Sequence, residues 1–275
     1  MNTPWENPVK KRLREGLPVV AATITVANPD VAAHAATLGF DFLWVEMEHS
    51  PITLETLRNI VLATRGLPAL TFARVPVNEI WTAKRVLDAG VSGVMFPFTS
   101  TPELAAQAAA ACRYPPAGRR GSGPVLARTT WPAGEAGYHD SADANVMVII
   151  IIEEARAVER IDEIAATPGV DVLFIGTNDL SFSLGLRGNQ DDPRLDAAIA
   201  RIVEAGKRHG KFLGRPAATP EIAKRHMEQG FLLFQGPTDL GLMAAGARRY
   251  LDNVGQTSRS AWVLQDPPAA PPEGT

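Results

Sequence analysis

Val146-Met147-Val148-Ile149-Ile150-Ile151-Ile152 is the longest apolar run in the chain, and its reading decides the fold. It is strand length, far short of the ~20 residues that span a bilayer. It also lacks the in–out alternation of a half-exposed strand, so it suits a parallel strand covered on both faces. On either side the same rhythm repeats, a short β-branched run followed by a helical pattern. Upstream, strands are expected at 19–26, 40–46, 69–74 and 91–96, with helices over 28–38, 53–65, 79–89 and 101–112. Downstream, strands fall at 170–175, 211–214 and 231–235, with helices over 155–166, 194–209, 219–229 and 240–251.

Asn28-Pro29, Thr101-Pro102-Glu103 and Thr219-Pro220-Glu221 are helix starts, with a capping side chain followed by proline in the first turn. Gly39, Gly66, Gly90, Gly169, Gly210 and Gly230 stand where helices end before the next strand. Eight strands alternating with helices over about 250 residues predict an α/β protein of the (β/α)8 barrel type, a TIM barrel. A doubly wound open sheet is the alternative that strand count leaves standing. No internal domain boundary is visible: residues 1–255 read as one domain, and 256–275 as a Pro-rich, flexible tail.

Composition narrows the function classes. The 275 residues carry 27 Lys+Arg against 30 Asp+Glu, a net charge of -3. That balance offers no electrostatic footprint for nucleic acid or an anionic membrane. The start of the chain lacks the basic-then-apolar layout of a secretory signal, and Cys112 is the one cysteine. A cytoplasmic protein without an internal disulfide or a Cys-rich zinc site is therefore expected.

In a barrel of this type, chemistry gathers at the C-terminal ends of the strands. Those ends carry Glu46-Met47-Glu48-His49, Arg74, Phe96-Pro97-Phe98, Glu153-Glu154, Gly176-Thr177-Asn178-Asp179, Gly214-Arg215-Pro216 and Gln235-Gly236. Glu153 and Asp179, on neighbouring strands, suit a hard divalent cation such as Mg²⁺, which takes one or two carboxylates together with substrate and water. The same acids also suit helix capping. Only one of Glu153 and Glu154 can face inward, and Glu154 reads as the structural one. His49, close to Glu46 and Glu48, suits proton transfer, because a carboxylate can orient an imidazole; a packing histidine is the alternative. His34, His139, His209 and His226 fall on helices or in a polar loop.

Arg74 ends an apolar strand, where its fork suits a carboxylate or an internal ion pair. Gly176-Thr177-Asn178-Asp179 offers backbone N–H groups at a helix start. No Walker loop or G-x-G-x-x-G is present, which disfavours nucleotides. No lysine lies at a strand C-terminus, so carbonyl chemistry would need a metal in place of an imine. Arg113-Tyr114-Pro115-Pro116 through Pro124 is a long connection fit for a site mouth or an interface. On local grounds Asp88 is a polar residue near a turn.

Taken together, these segments resemble the HpcH/HpaI family of metal-dependent pyruvate aldolases. The resemblance runs from about Asn7 to Leu251. It rests on Gly39-Phe40-Asp41-Phe42 leading to Glu48-His49-Ser50-Pro51, and on Arg74-Val75-Pro76-Val77-Asn78-Glu79. Further support comes from Arg113-Tyr114-Pro115-Pro116 leading to Arg120-Gly121, Ile152-Glu153, Gly169-Val170-Asp171, and Phe174-Ile175-Gly176-Thr177-Asn178-Asp179-Leu180-Ser181.

The resemblance implies that Glu153 and Asp179 hold Mg²⁺ or Mn²⁺, sometimes Co²⁺. A small 2-oxo acid would chelate the ion, and amides near Gly176, Thr177 and Asn178 would seat its carboxylate. Arg74 would neutralise a developing enolate, and His49 would move protons with help from a neighbouring acid, Glu46. The implied reaction is reversible aldol cleavage of 4-hydroxy-2-oxo acids to pyruvate, or hydroxypyruvate, and an aldehyde. The implied assembly is a homo-hexamer, a trimer of dimers with exchanged C-terminal helices, in which Asp88 lines the aldehyde end of the adjacent subunit's site. Glu46-Met47, Ile151, Thr177-Asn178 and Gly121-Ser122-Gly123-Pro124 depart from the family's usual residues. Two other readings use the same site: an acyl-CoA or phosphoenolpyruvate-type lyase, and a catalytically silent oxo-acid-binding protein.

Overall fold

The structure is a computed structural model that describes residues 5–131 and 137–254. The strands are β1 (Val19–Ile24), β2 (Phe42–Glu46), β3 (Leu70–Arg74), β4 (Gly93–Phe96), β5 (Met147–Ile152), β6 (Val172–Ile175), β7 (Phe212–Pro216) and β8 (Leu233–Thr238). All pair in parallel, and β8 closes onto β1, which makes the expected (β/α)8 barrel and excludes the open sheet.

The helices are α1 (Pro8–Arg14), α2 (Pro29–Ala35), α3 (Leu54–Ala63), α4 (Ile80–Ala89), α5 (Pro102–Ala111), α6 (Val125–Arg128), α7 (Tyr138–Asn145), α8 (Ala155–Glu159), α9 (Ile161–Ala165), α10 (Thr177–Ser183), α11 (Pro193–Arg208), α12 (Pro220–Glu228) and α13 (Asp239–Asn253). Contacts divide the chain into a unit through Asp239 and a second unit from Leu240. In the second unit the described residues are 240–254, which include all of α13 but its first residue; no residue of α13 is buried, and Leu240, Met243 and Tyr250 are exposed. The tail expected at 256–275 lies outside the described residues. Among the described residues no helix is long and apolar enough to cross a membrane.

The local signals act as their chemistry requires. Asn28 accepts hydrogen bonds from the Asp30 and Val31 amides, and Thr101 and Thr219 accept from the Leu104 and Ile222 amides. Gly90 ends α4 at φ 110°, and the five other glycines read as caps also have positive φ. Three features differ from expectation. Asn7-Pro8 opens α1, a helix not anticipated, although it carries the same Asn-Pro start as α2. Two short helices, α6 and α7, occupy part of the segment before β5. The helix expected over 155–166 breaks at Arg160, whose φ of -109° and ψ of 21° leave the helical region.

Strand parity builds the core and aims the site. Val19, Ala21, Phe42, Trp44, Phe72, Met95, Met147, Ile149, Ile151, Val172, Phe174 and Leu233 fill the barrel interior. Their strand neighbours Ala22, Leu43, Ala73, Val94, Val148, Ile150 and Leu173 face the helices. Each fully buried large apolar side chain contributes roughly 1.5–3 kcal/mol. Gly93 leaves room for the Phe72 ring, since a Cβ there would stand 2.6 Å from Cδ2 of Phe72. Continuing the inward parity by one step puts Glu46, Arg74 and Glu153 at the top of the interior.

Candidate active site

Glu46 and Arg74 are register partners on β2 and β3, so their inward side chains stand side by side. Arg74 Nε donates to Glu46 Oε2 at 2.7 Å, and Arg74 Nη1 lies 3.0 Å from Glu48 Oε2. Both acids and the arginine are largely buried. Glu46 receives three more donors: Trp44 Nε1 at 3.3 Å on Oε2, and the amides of Glu48 and His49 at 2.8 and 3.0 Å on Oε1. This carboxylate thus organises the turn after β2 and holds Arg74, while its own oxygens are engaged.

The acid beside the His49 ring is Glu48, with Oε2 3.5 Å from His49 Nε2. The family resemblance had pointed to Glu46 for that place, whereas proximity in the sequence left both acids open. Burial pushes the Glu48 carboxyl up to about 6, opposed by Arg74 and reinforced by Glu46 and Asp179. The His49 side chain is exposed at the mouth of the site.

Glu153 follows β5 and is buried, whereas Glu154 turns outward to Ser100 and Arg156. The Phe98 amide donates to Glu153 Oε1 at 2.6 Å. Burial pushes the Glu153 carboxyl up to about 7; the Phe98 amide and Arg74 oppose this, and Glu48 and Asp179 add to it. Asp179 lies in the first turn of α10, where no side chain caps the helix. Asp179 thus stands as an acid in a helix's first turn without making a cap hydrogen bond, and Glu153 precedes Glu154, the N-cap of α8.

His49, Arg74, Glu153, Gly176, Thr177, Asn178 and Asp179 line one cavity of about 490 Å³ at the C-terminal end of the barrel. Ile151, Phe174, Pro216 and Gln235 complete its wall. Sequence reading offered Glu48 only as one of two acids that could orient His49, and gave no role to Gln235, Pro216 or the Phe98 amide. The signal for the side chains was only their place at strand ends, and for the amide there was none. Arg215 points outward, over the Phe231 ring and toward Gln229, so it does not serve this cavity. Asp88, at the C-terminal end of α4, pairs with Arg120 at 3.0 Å and is not in this cavity wall. A smaller cavity of about 240 Å³ at the other end of the barrel is lined by Trp5, Thr71, Ser92 and Trp131, and among the described residues no acid or histidine lines it.

A divalent cation fits the donor set. Four carboxylates (Glu46, Glu48, Glu153 and Asp179) surround one arginine and one histidine, an excess of negative charge in a buried setting. Glu153 Oε2 faces the place where Gly176 has no Cβ; a Cβ would stand 2.6 Å from it. Among the described residues no group of three or more His, Cys, Asp or Glu forms a ready-made cage. Two carboxylates with the remaining positions left to substrate and water is the pattern of Mg²⁺ rather than of structural zinc.

Comparison with known proteins places this geometry. The family model of HpcH/HpaI aldolase/citrate lyase matches residues 24–245. The chain belongs to the HpcH/HpaI aldolase/citrate lyase family. Within that family it is 36% identical to a hydroxypyruvate/pyruvate aldolase of Paraburkholderia phytofirmans, covering 91% of this chain and 98% of the relative. It is 34% identical to a 5-keto-4-deoxy-D-glucarate aldolase of Klebsiella pneumoniae, with the same coverage. The crystal structure of a family protein from Burkholderia cenocepacia superposes with a TM-score of 0.84 at 35% identity, covering 90% of this chain and 99% of that one. With relatives that are named aldolases, the family member described here is a carbon–carbon lyase.

Proposed function

We propose that this family member is a divalent-metal-dependent aldolase that reversibly cleaves 4-hydroxy-2-oxo acids to pyruvate, or hydroxypyruvate, and an aldehyde. The observation that carries the reading is the Arg74 fork, held by Glu46 and Glu48 at the cavity that Glu153 and Asp179 share. Glu153 and Asp179 are the residues that would hold Mg²⁺, Mn²⁺ or Co²⁺, and the ion would supply Lewis-acid withdrawal of electrons from the 2-oxo group.

The chain's own groups do the rest. The amides of Thr177 and Asn178, in the first turn of α10, have no intrahelical acceptor and seat the substrate carboxylate. The His49 imidazole takes the proton of the C4 hydroxyl as the C3–C4 bond breaks and the aldehyde leaves. Arg74 faces the oxygen on which enolate charge develops; its two acids fix the guanidinium before the charge arrives, so little reorganisation is needed. Protonation at C3 then gives the 2-oxo acid product. Glu48 lies against both Arg74 and the His49 ring and stabilises the imidazolium that forms.

The relatives act on pyruvate or hydroxypyruvate and on a keto-deoxy sugar acid, by their names, which supports a short 2-oxo acid as the nucleophilic half. We further infer a homo-hexamer in which exchanged C-terminal helices bring Asp88 to a neighbouring subunit's aldehyde end. The exposed apolar residues of α13 and the place of Asp88 outside this chain's own cavity support that assembly. Cys112, buried and with its thiol pushed up to about 12, is inert, in keeping with a cytoplasmic setting.

Pyruvate release from a 4-hydroxy-2-oxo acid, measured before EDTA, after it, and after adding back Mn²⁺, tests the function. Activity should vanish on chelation and return with the ion. Full turnover after thorough chelation would overturn the metal reading.

A further inference from the structure

Phe98 has a φ of 46°, a left-handed conformation that a bulky L-residue rarely adopts. Its ring is not locked in the core, because the residue is 45% exposed. The backbone around it holds the conformation. The Thr99 amide donates to the Ile151 carbonyl at 3.2 Å, extending the β4–β5 pairing past the end of β4. The Thr99 hydroxyl donates to the Phe96 carbonyl at 3.1 Å, and Asn78 Nδ2 donates to that hydroxyl at 3.0 Å. Ser100 Oγ donates to Glu154 Oε2, which holds the backbone two residues after Phe98. Phe96 and Thr99 are both buried and bonded to each other, so the turn is pinned on each side of the strained residue. Strain that persists in such a frame points to a use for it.

The use is visible at the amide. With φ at 46°, the Phe98 N–H aims into the barrel and donates to Glu153 Oε1 at 2.6 Å. On the other side of the same carboxylate, Gly176 leaves an opening; a Cβ there would stand 2.6 Å from Oε2 and 2.9 Å from the Glu153 Cβ. One oxygen is tied and the other faces the cavity wall.

We propose that Phe98 is a positioning residue: its left-handed backbone aims the amide at Glu153 and thereby reserves the opposite carboxylate oxygen for a divalent ion. This rests on the reading of Glu153 as a metal ligand. Tying one oxygen stops the carboxylate from swinging between one-oxygen and two-oxygen ligation, as partners of metal ligands do elsewhere. Among the described residues no side chain donates to Oε1, so the sequence could change freely at position 98 only if the backbone kept its conformation.

The test measures Mn²⁺ binding to the metal-free, full-length protein without substrate, by the electron paramagnetic resonance signal of unbound Mn²⁺. Replacing Phe98 by its α-hydroxy acid analogue turns the Pro97–Phe98 amide into an ester and deletes only the N–H. That protein should bind Mn²⁺ about 10- to 100-fold more weakly. Phe98→Gly keeps the N–H and adopts φ 46° freely, so it should stay within about 2-fold of the parent. Phe98→Val opposes that φ with a β-branched side chain and should bind about 10-fold more weakly than Phe98→Gly.

Parent-like affinity in the ester protein overturns the proposal. If the ester protein fails to fold, equal affinity in Phe98→Val and Phe98→Gly overturns it. Glu153→Gln separates this from the reading beneath it: if that variant binds Mn²⁺ as the parent does, Glu153 is not a ligand and the metal reading itself fails.

Discussion

Removing the charge of Glu153 should make the metal-free protein more stable, and increasingly so as the pH rises. Burial lifts this carboxyl from its ordinary 4.5 to about 7 in the folded chain. The folded state therefore holds the proton through a window in which the unfolded chain has released it. Where the folded state binds more protons, stability falls as pH increases. The contribution is fully present below 4.5 and is lost as pH rises toward 7. Ionising Glu153 in the folded chain costs roughly 3 kcal/mol more than in the unfolded chain. Between about pH 5 and about pH 8 the change amounts to roughly 2–3 kcal/mol.

Glu153→Gln keeps an oxygen that can accept from the Phe98 amide and removes the titration. Urea unfolding of both chelated proteins across that range gives a difference profile in which titrating groups remote from the site cancel. The variant's advantage should grow by roughly 2–3 kcal/mol from the acid to the alkaline end. Saturating Mn²⁺ should erase the advantage by stabilising the parent alone, because the ion binds the ionised carboxylate of the folded state. Parallel pH profiles for parent and variant would refute the reasoning, since Glu153 would then titrate alike in both states.

Other residues give independent checks. Arg74→Lys keeps a charge but offers one nitrogen where two are used, at 2.7 and 3.0 Å; kcat should fall about 10²- to 10³-fold in a steady-state cleavage assay with little change in thermal stability. Gly176→Ala is compatible with its φ of -79°, so its effect is steric. The new Cβ displaces Glu153, and calorimetric Mn²⁺ affinity should drop about 10- to 100-fold. Asp88→Asn leaves Arg120, whose side chain is buried and whose Nε and Nη1 have no hydrogen-bond partner, without its carboxylate. Urea unfolding should show a loss of about 1.5–3 kcal/mol.

The sequence makes the barrel legible because period two and period 3.6 alternate with glycine caps between them. Those same periods reach into the site. Inward parity through Met147, Ile149 and Ile151 selects Glu153 over Glu154, and the β2–β3 register brings Glu46 beside Arg74. Legibility stops where regular structure stops. Glu46, Glu48 and His49 lie within four residues, but the chain turns after β2, and only the turn decides that Glu48 meets the imidazole. The Phe98 amide was invisible because a backbone group leaves no mark in residue type. The break at Arg160 was equally silent, since the apolar pattern runs through it from Val158 to Ile161.

Among the site's acids, geometry divides the labour that composition leaves open. Glu46 is met by four donors, three of them from its own strand and turn and one from Arg74. It is a fixed anion that sets a cation in place. Glu48 and Glu153 have fewer partners to offset their burial, and both carboxyls rise, to about 6 and about 7. Two half-satisfied acids beside Asp179 weaken the empty fold, and a barrel selected only for stability would fill that space with apolar side chains. A divalent ion reverses the balance, because it favours the ionised form that burial opposes. The same burial that destabilises the empty site makes the loaded one dry and strongly polarising, so the strain in the fold and the proposed chemistry have one origin.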